Sequence, residues 1–242
     1  MTVRVGLCGF TMAMEDYRLH FPVVEIQHTF YDPPRDDVMR RWLAVTPATL
    51  EYTIKVWQLV THSITSPTYR RMKRQIDRAT EPGFFRASPA VEEGWQRSVH
   101  CAEILSATAM LFQTPASFTP TPENVERMRR FFERIVRPPA RLLWEPRGSG
   151  WVRERDLALA LCHDLRLVHV VDPFVTEPER DSPVYWRLHG ISTPRHSYSD
   201  AELRQLHAML TRMEHDAPAY VMFNNLPRVA NAKRFLRLLE AP

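Results

Sequence analysis

Lysine is nearly absent from this chain. Of 32 lysines and arginines, only Lys55, Lys73 and Lys233 are lysine. That bias is compositional, but it makes Lys55, at an apolar strand position, stand out for its ammonium group. Glycine is scarce too, at 7 against 20 prolines. Neither GxGxxG nor GxxxxGK followed by Ser or Thr occurs, so the usual glycine-rich phosphate loops are excluded. The cysteines number 3. Cys8, Cys101 and Cys162 lie far apart with no CxxC pair, which argues against a disulfide framework or a zinc knuckle and for a reducing compartment. No signal-peptide core and no run of about 18 apolar residues is found, so no membrane partner is expected and the expected location is the cytoplasm.

What is present is ordinary for a globular protein: 44% hydrophobic and 25% charged residues in a chain of 242. The net charge of +4 and pI near 9.1 lean mildly toward polyanions. Eight short apolar runs read as strands, over 3–9, 23–31, 50–57, 107–113, 141–145, 167–172, 184–190 and 219–225. They are nearly continuous in apolar residues, as parallel strands covered on both faces are. Helical patterns follow most of them, over 36–44, 92–105, 124–136, 152–163, 201–214 and 229–239. Eight β/α units in about 250 residues is the size of a (β/α)8 barrel, so a single α/β TIM-like domain over 1–242 is expected. A doubly wound open sheet is the alternative. Two units are irregular. The connection after strand six is too short for a full helix, and strand three is followed by an enlarged insertion over about 58–95. That insertion carries a basic stretch at 70–78 and reads as a lid or an inserted segment.

In such barrels the active site forms at the C-terminal ends of the strands. Polar groups collect there in this sequence: Glu25 and Tyr31 from strand two, Lys55 from strand three with His62 beyond it, and Gln113 from strand four. Strand five ends in Glu145 followed by Arg147, strand six in Asp172, strand seven in Arg187 and His189, and strand eight in Asn224 and Asn225. Arg187 and His189 are two apart and share one strand face, with Asp172 and Asn224 expected beside them from the adjacent strands. Each residue also has a plainer reading. Lys55 could pair with Glu25 or Glu145, Glu145 and Arg147 could bridge neighbouring strands, Asp172 could form a turn before Pro173, His62 could cap the long loop, and the two asparagines could be turn residues. His28 and His169 read as packing, as do Trp57, Trp144 and Trp186.

Metal is not the favoured reading. No HExxH or comparably specific spacing occurs, and three cations would compete for the carboxylates. Three cations with two amides suggest instead an anionic or polyhydroxylated ligand held by charge-assisted bonds.

The strand-end segments, in this order, resemble the domain-of-unknown-function 72 family, also called YecE-like. The matching pieces are Val24-Glu25-Ile26 with Thr29-Phe30-Tyr31, Ile54-Lys55 with Thr61-His62, and Leu111 to Phe118. Further along they are Glu145-Pro146-Arg147 with Trp151, Val171-Asp172, Tyr185 to Gly190, Tyr198-Ser199, and Phe223-Asn224-Asn225 with Ala230-Asn231-Ala232. The resemblance implies a TIM-barrel fold and no particular reaction. The chain departs from the family pattern at Gly9-Phe10, where Gly-Trp is usual, and at Glu145-Pro146-Arg147, where Glu-Phe-Arg is usual. It also lacks the usual glycines near Leu226-Pro227-Arg228, and the segment between residues 10 and 21 is shortened, which implies a less complete cover over the strand ends.

The functional expectation is an enzyme acting on a small anionic or sugar-like ligand. Glu145, Asp172, His189 and Lys55 are the catalytic candidates, Arg147 and Arg187 the anion clamps, and Glu25, Tyr31, His62, Gln113, Asn224 and Asn225 further ligand contacts, with no cofactor assigned. The alternative is a nucleic-acid binder or metal-dependent phosphodiester hydrolase using the basic 70–78 stretch.

Overall fold

The computed structural model describes residues 2–46, 48–214 and 217–240. Both ends of the expected domain, Met1 and residues 241–242, lie outside the described residues. The strands are β1 (Val3–Cys8), β2 (Val23–Ile26), β3 (Glu51–Lys55), β4 (Ala109–Gln113), β5 (Arg141–Glu145), β6 (Val168–His169), β7 (Tyr185–Leu188) and β8 (Ala219–Phe223). They form an eight-stranded sheet in the order β6-β5-β4-β3-β2-β1-β8-β7. With helices between most successive strands, this is the (β/α)8 TIM-barrel class that the sequence predicts. The helices are α1 (Met14–Tyr17), α2 (His28–Tyr31), α3 (Asp36–Val45), α4 (Gln58–Thr61), α5 (Pro89–Leu105), α6 (Pro122–Arg134), α7 (Ser149–Arg153), α8 (Arg155–Asp164), α9 (Asp200–Leu210) and α10 (Arg228–Glu240). No helix lies between β6 and β7 among the described residues. None of the helices among the described residues is long and apolar enough to cross a membrane.

The chain divides into two compact units. The first comprises Met1–Glu25, Val45–Glu51 and Val170–Pro242. Its β1 pairs in parallel with β2 and β8, setting Cys8 beside Glu25 and Gly6 beside both Val23 and Met222. A Cβ on Gly6 would lie 2.3 Å from the Val23 carbonyl oxygen, so the strands approach too closely there for any other residue. β7 pairs with β8, and Val171 bridges Trp186. The short segment after β1 is held by Tyr17, whose hydroxyl accepts from the Leu7 N–H and donates to the Val23 carbonyl. Phe10, standing where tryptophan is usual, packs edge-on against that same tyrosine ring. Helix α9 starts with the capping box that Ser199 and Glu202 make reciprocally.

The second unit comprises Ile26–Ala44 and Tyr52–His169 and carries β3 to β6 in consecutive parallel pairs. Its core is an aromatic cluster of Phe85, Trp95, Phe112, Phe131 and Phe132. Phe85 comes from the insertion, and the backbone twists to place it there. Phe84 and Phe85 both take positive φ, a conformation costing roughly 1–3 kcal/mol each for such residues. Backbone bonds from Gly83, Phe84 and Phe85 to the carbonyls of Leu59, Thr61 and Val60 hold the segment on α4. The end of the insertion is therefore anchored. Helix α5 also starts at Pro89, capped by Ser88, earlier than the periodicity suggests.

Three local expectations are corrected. The run 23–31 is not one strand: β2 stops at Ile26 and α2 follows. The Thr29 hydroxyl bonds to the Ile26 and Lys55 carbonyls, which fixes that turn. His28 consequently sits exposed on α2, with its ring centre 6.3 Å from that of Trp42, rather than buried in the sheet. The helix expected over 152–163 is two, broken at Glu154. Trp57, Trp144 and Trp186 are buried as expected.

Candidate functional site

In the first unit the last residues of β2, β7 and β8 and the turn after β6 bring together five of the predicted side chains. Glu25 is fully buried and accepts from two donors on β7: the Arg187 guanidinium at 2.8 Å and the Tyr185 hydroxyl at 2.9 Å. Arg187 is also fully buried, so its charge is committed to the protein interior in company with a carboxylate. Cys8 lies against the pair. Burial, and then the Glu25 charge, push its thiol well above the ordinary range, which makes it an unreactive thiol.

At the ends of the same strands Asp172 spans two segments. Its Oδ1 accepts from the Phe174 N–H at 3.1 Å and its Oδ2 from the His189 N–H at 2.9 Å. The His189 ring nitrogen Nδ1 stands 3.0 Å from the Asn224 amide nitrogen. Of the neighbours the sequence assigns to Arg187 and His189, Asp172 and Asn224 both meet His189, whereas Arg187 pairs with Glu25. Gly190 follows with φ of 91°, and a Cβ there would lie 2.2 Å from the Thr193 carbonyl oxygen. Its N–H donates to the Tyr198 hydroxyl, whose ionisation burial pushes upward.

Asn225 faces elsewhere. It is fully buried and donates to the His196 carbonyl at 2.8 Å and to Asn231 at 2.7 Å, tying β8 to the segment that follows β7.

In the second unit Lys55 ends β3 at 5% exposure, with its ammonium 3.7 Å from the centre of the Phe30 ring. A ring face attracts a cation, so Phe30 seats the ammonium. His62 packs edge-on against the same ring at 4.9 Å, and its Nδ1 is 2.8 Å from the Thr61 hydroxyl. Burial first, and the Lys55 charge second, push its pKa down to about 3, so this imidazole is neutral at physiological pH. Tyr31 accepts from Gln58 at its carbonyl and holds the Arg71 guanidinium over its ring at 3.8 Å. Glu145 ends β5 in register with Gln113 on β4 and is 3% exposed. Its Oε1 lies 3.4 Å from the Arg147 guanidinium, whose side chain is 39% exposed. His169 behaves as a packing histidine: burial, followed by the Arg155 charge, lowers its pKa to about 4.

The basic 70–78 stretch is exposed, but Arg71 lies over Tyr31 and Arg74 is paired with Glu93. Among the described residues no group of three or more His, Cys, Asp and Glu side chains is assembled that could hold a metal ion.

Tyr185, Thr29, Phe30 and Gln58 are site neighbours that sequence reasoning passed over. Tyr185 was accessible to it, being two residues before Arg187 on the same strand face. Phe30 was not, because its placement depends on the chain leaving the sheet after Ile26.

Comparison with known proteins agrees with this description at two levels. The fold class is that of several solved TIM-barrel structures. One is a xylose isomerase domain containing protein from Salmonella typhimurium, 15% identical with a TM-score of 0.63, each chain covered over its full length. The family model for "Protein of unknown function DUF72" matches residues 10–242, and the chain belongs to that family. Solved DUF72 proteins superpose well. The one from Enterococcus faecalis has a TM-score of 0.73 at 20% identity, covering 100% of this chain and 98% of that one. The one from Thermotoga maritima has a TM-score of 0.71 at 21% identity with both chains fully covered. No curated protein matches this sequence.

Proposed function

We propose that the protein is an enzyme that binds a small anionic or polyhydroxylated ligand through the polar side chains at the C-terminal ends of its strands. One observation carries this reading. Among the described residues, six side chains of Asp, Glu, Lys, Arg or His are buried: Glu25, Lys55, His62, Glu145, Asp172 and Arg187. All six lie in the C-terminal half of a strand or in the connection that follows it. Burying charge is expensive unless it is paired, and proteins concentrate that expense where ligands are handled.

In the second unit Lys55 and Arg147 supply positive charge, Gln113, Tyr31 and His62 supply neutral polar groups, and Glu145 is the acid–base candidate. In the first unit Asp172, His189 and Asn224 form a hydrogen-bonded chain that can donate to a ligand oxygen, and Arg187 fixes Glu25 beneath it. Asn225 acts by holding the segment after β7. The amine of Lys55, seated on Phe30, serves this reading as a cationic anchor. The chain is taken to act as one domain over 1–242.

The test is a thermal-shift screen of the full chain against inorganic phosphate, glucose, glucose phosphate and gluconate. A ligand at about one hundred times its Kd stabilises by roughly 2.7 kcal/mol, and for a domain of this size each kcal/mol moves Tm by roughly 2–4 °C. A hit should therefore raise Tm by about 5–10 °C. Arg147→Ala removes the partly exposed member of the Arg147–Glu145 pair, so it should keep the fold and lose most of the shift. An undiminished shift in both Arg147→Ala and Lys55→Met counts against this placement.

A further inference from the structure

We propose that Asn224 is a positioning residue that holds the His189 imidazole in its Nε2-protonated tautomer, so that His189 meets a ligand as a hydrogen-bond donor and not as a base. The functional half of this inference rests on the strand-end reading above. The tautomer is a property of the free protein.

An asparagine amide nitrogen carries two hydrogens and accepts nothing. It stands 3.0 Å from His189 Nδ1, so that ring nitrogen is the acceptor. A neutral imidazole with an acceptor at Nδ1 carries its proton on Nε2.

The backbone makes this arrangement rigid. β7 and β8 are in register at Leu188 and Phe223, and the Asn224 N–H continues the ladder by donating to the Leu188 carbonyl at 2.9 Å. His189 and Asn224 are therefore equivalent positions just past the ends of paired strands. His189 is fixed a second time by its own N–H, which Asp172 accepts at 2.9 Å. Asp172 in turn is fixed by the Phe174 N–H. Beyond His189 the chain turns at Gly190, whose N–H is taken by the Tyr198 hydroxyl. The ring is thus placed by two strands and the turn after a third, and it remains partly exposed.

The chemical consequence is a reversal of the familiar pattern. Where a carboxylate accepts from Nδ1, the far nitrogen is left as a base. An amide donor at Nδ1 leaves the far nitrogen as a donor. The group it recognises is an oxygen with lone pairs to offer: a carbonyl, carboxylate or phosphate oxygen. Proton abstraction then falls to another group.

The experiment uses the full chain labelled with 15N-histidine and long-range proton–nitrogen correlation at neutral pH, with His189 assigned by its loss in His189→Gln. The expected spectrum shows a pyrrole-type, protonated Nε2 and a pyridine-type Nδ1. Asn224→Asp puts an acceptor beside Nδ1 and should convert that nitrogen to the protonated type. A wild-type ring protonated on Nδ1 overturns the proposal, and so does an Asn224→Asp protein whose Nδ1 stays pyridine-type. If the aspartate variant does not fold, the wild-type spectrum alone decides. A ring with the expected tautomer that responds to none of phosphate, glucose, glucose phosphate or gluconate contradicts the strand-end binding reading and leaves the tautomer standing.

Discussion

Replacing Arg187 with methionine should be one of the most damaging single substitutions in this protein. The guanidinium and the Glu25 carboxylate are 2.8 Å apart and neither side chain is exposed at all. Methionine fills much of the same volume and removes the charge, so the perturbation is electrostatic more than steric. Removing one partner of a buried ion pair costs about 3–5 kcal/mol, because the remaining charge stays out of water without compensation. Glu25 would keep the Tyr185 hydroxyl but lose the Arg187 guanidinium. Against a total stability of about 5–15 kcal/mol this is roughly a fifth of the total or more. At roughly 2–4 °C per kcal/mol the melting point should fall by about 6–20 °C. The assay is urea unfolding at neutral pH, followed by tryptophan fluorescence, comparing wild type, Arg187→Met, Glu25→Gln and the double variant. The double variant removes both charges, while the amide oxygen that Glu25→Gln introduces can still accept from Tyr185, so it should recover at least half of the loss. A cost below about 1 kcal/mol for Arg187→Met would mean the pair is effectively solvated. A double variant no better than Arg187→Met would mean the two residues are not coupled. Either result refutes the reasoning.

Three further outcomes are expected. His62 has a folded pKa of about 3 against an ordinary 6.5, so its folded form resists protonation. Its contribution is constant above pH 6.5 and is lost as pH falls from there toward about 3. At about 1.4 kcal/mol per pH unit this group should cost about 2 kcal/mol between pH 7 and pH 5, and His62→Gln should flatten that part of the urea-midpoint profile; equal slopes in the two proteins would contradict the assignment. Gly190→Ala forces a side chain onto a φ of 91° and into the Thr193 carbonyl, so it should destabilise by more than about 1 kcal/mol and shift the His189 ring resonances, whereas a neutral change would contradict the tight turn. Finally, if 1–242 is one domain, fluorescence and far-ultraviolet dichroism should report one coincident unfolding transition, and two separated transitions would argue for independently folding halves.

Most of the architecture was legible because periodicity and turn chemistry agree with packing. The β5 run from Arg141 to Glu145 could be read off directly, since it is apolar, short and closed by proline. Polar side chains at strand ends were legible for the same reason: Arg187 or Lys55 in an apolar run has no cheap explanation. What was hidden depended on tertiary contacts. The departure of the chain from the sheet after Ile26 is set by Thr29 bonding to a carbonyl on another strand, and no local pattern announces it. The reach of Phe85 into the aromatic cluster requires positive φ at a residue type that rarely adopts it. The distinction between buried and accessible cations was equally invisible. Arg147 and Arg187 look alike in the sequence, yet one is partly open and the other sealed against Glu25.

The most direct test of the central claim is electron density. Crystals of the full chain, soaked with whichever of phosphate, glucose, glucose phosphate or gluconate gives the largest thermal shift, should show that molecule within hydrogen-bonding distance of strand-end side chains: Lys55, Gln113 or Arg147 in the one unit, or His189 in the other. Density for the ligand on the outer helices, with only solvent at the strand ends, would contradict it.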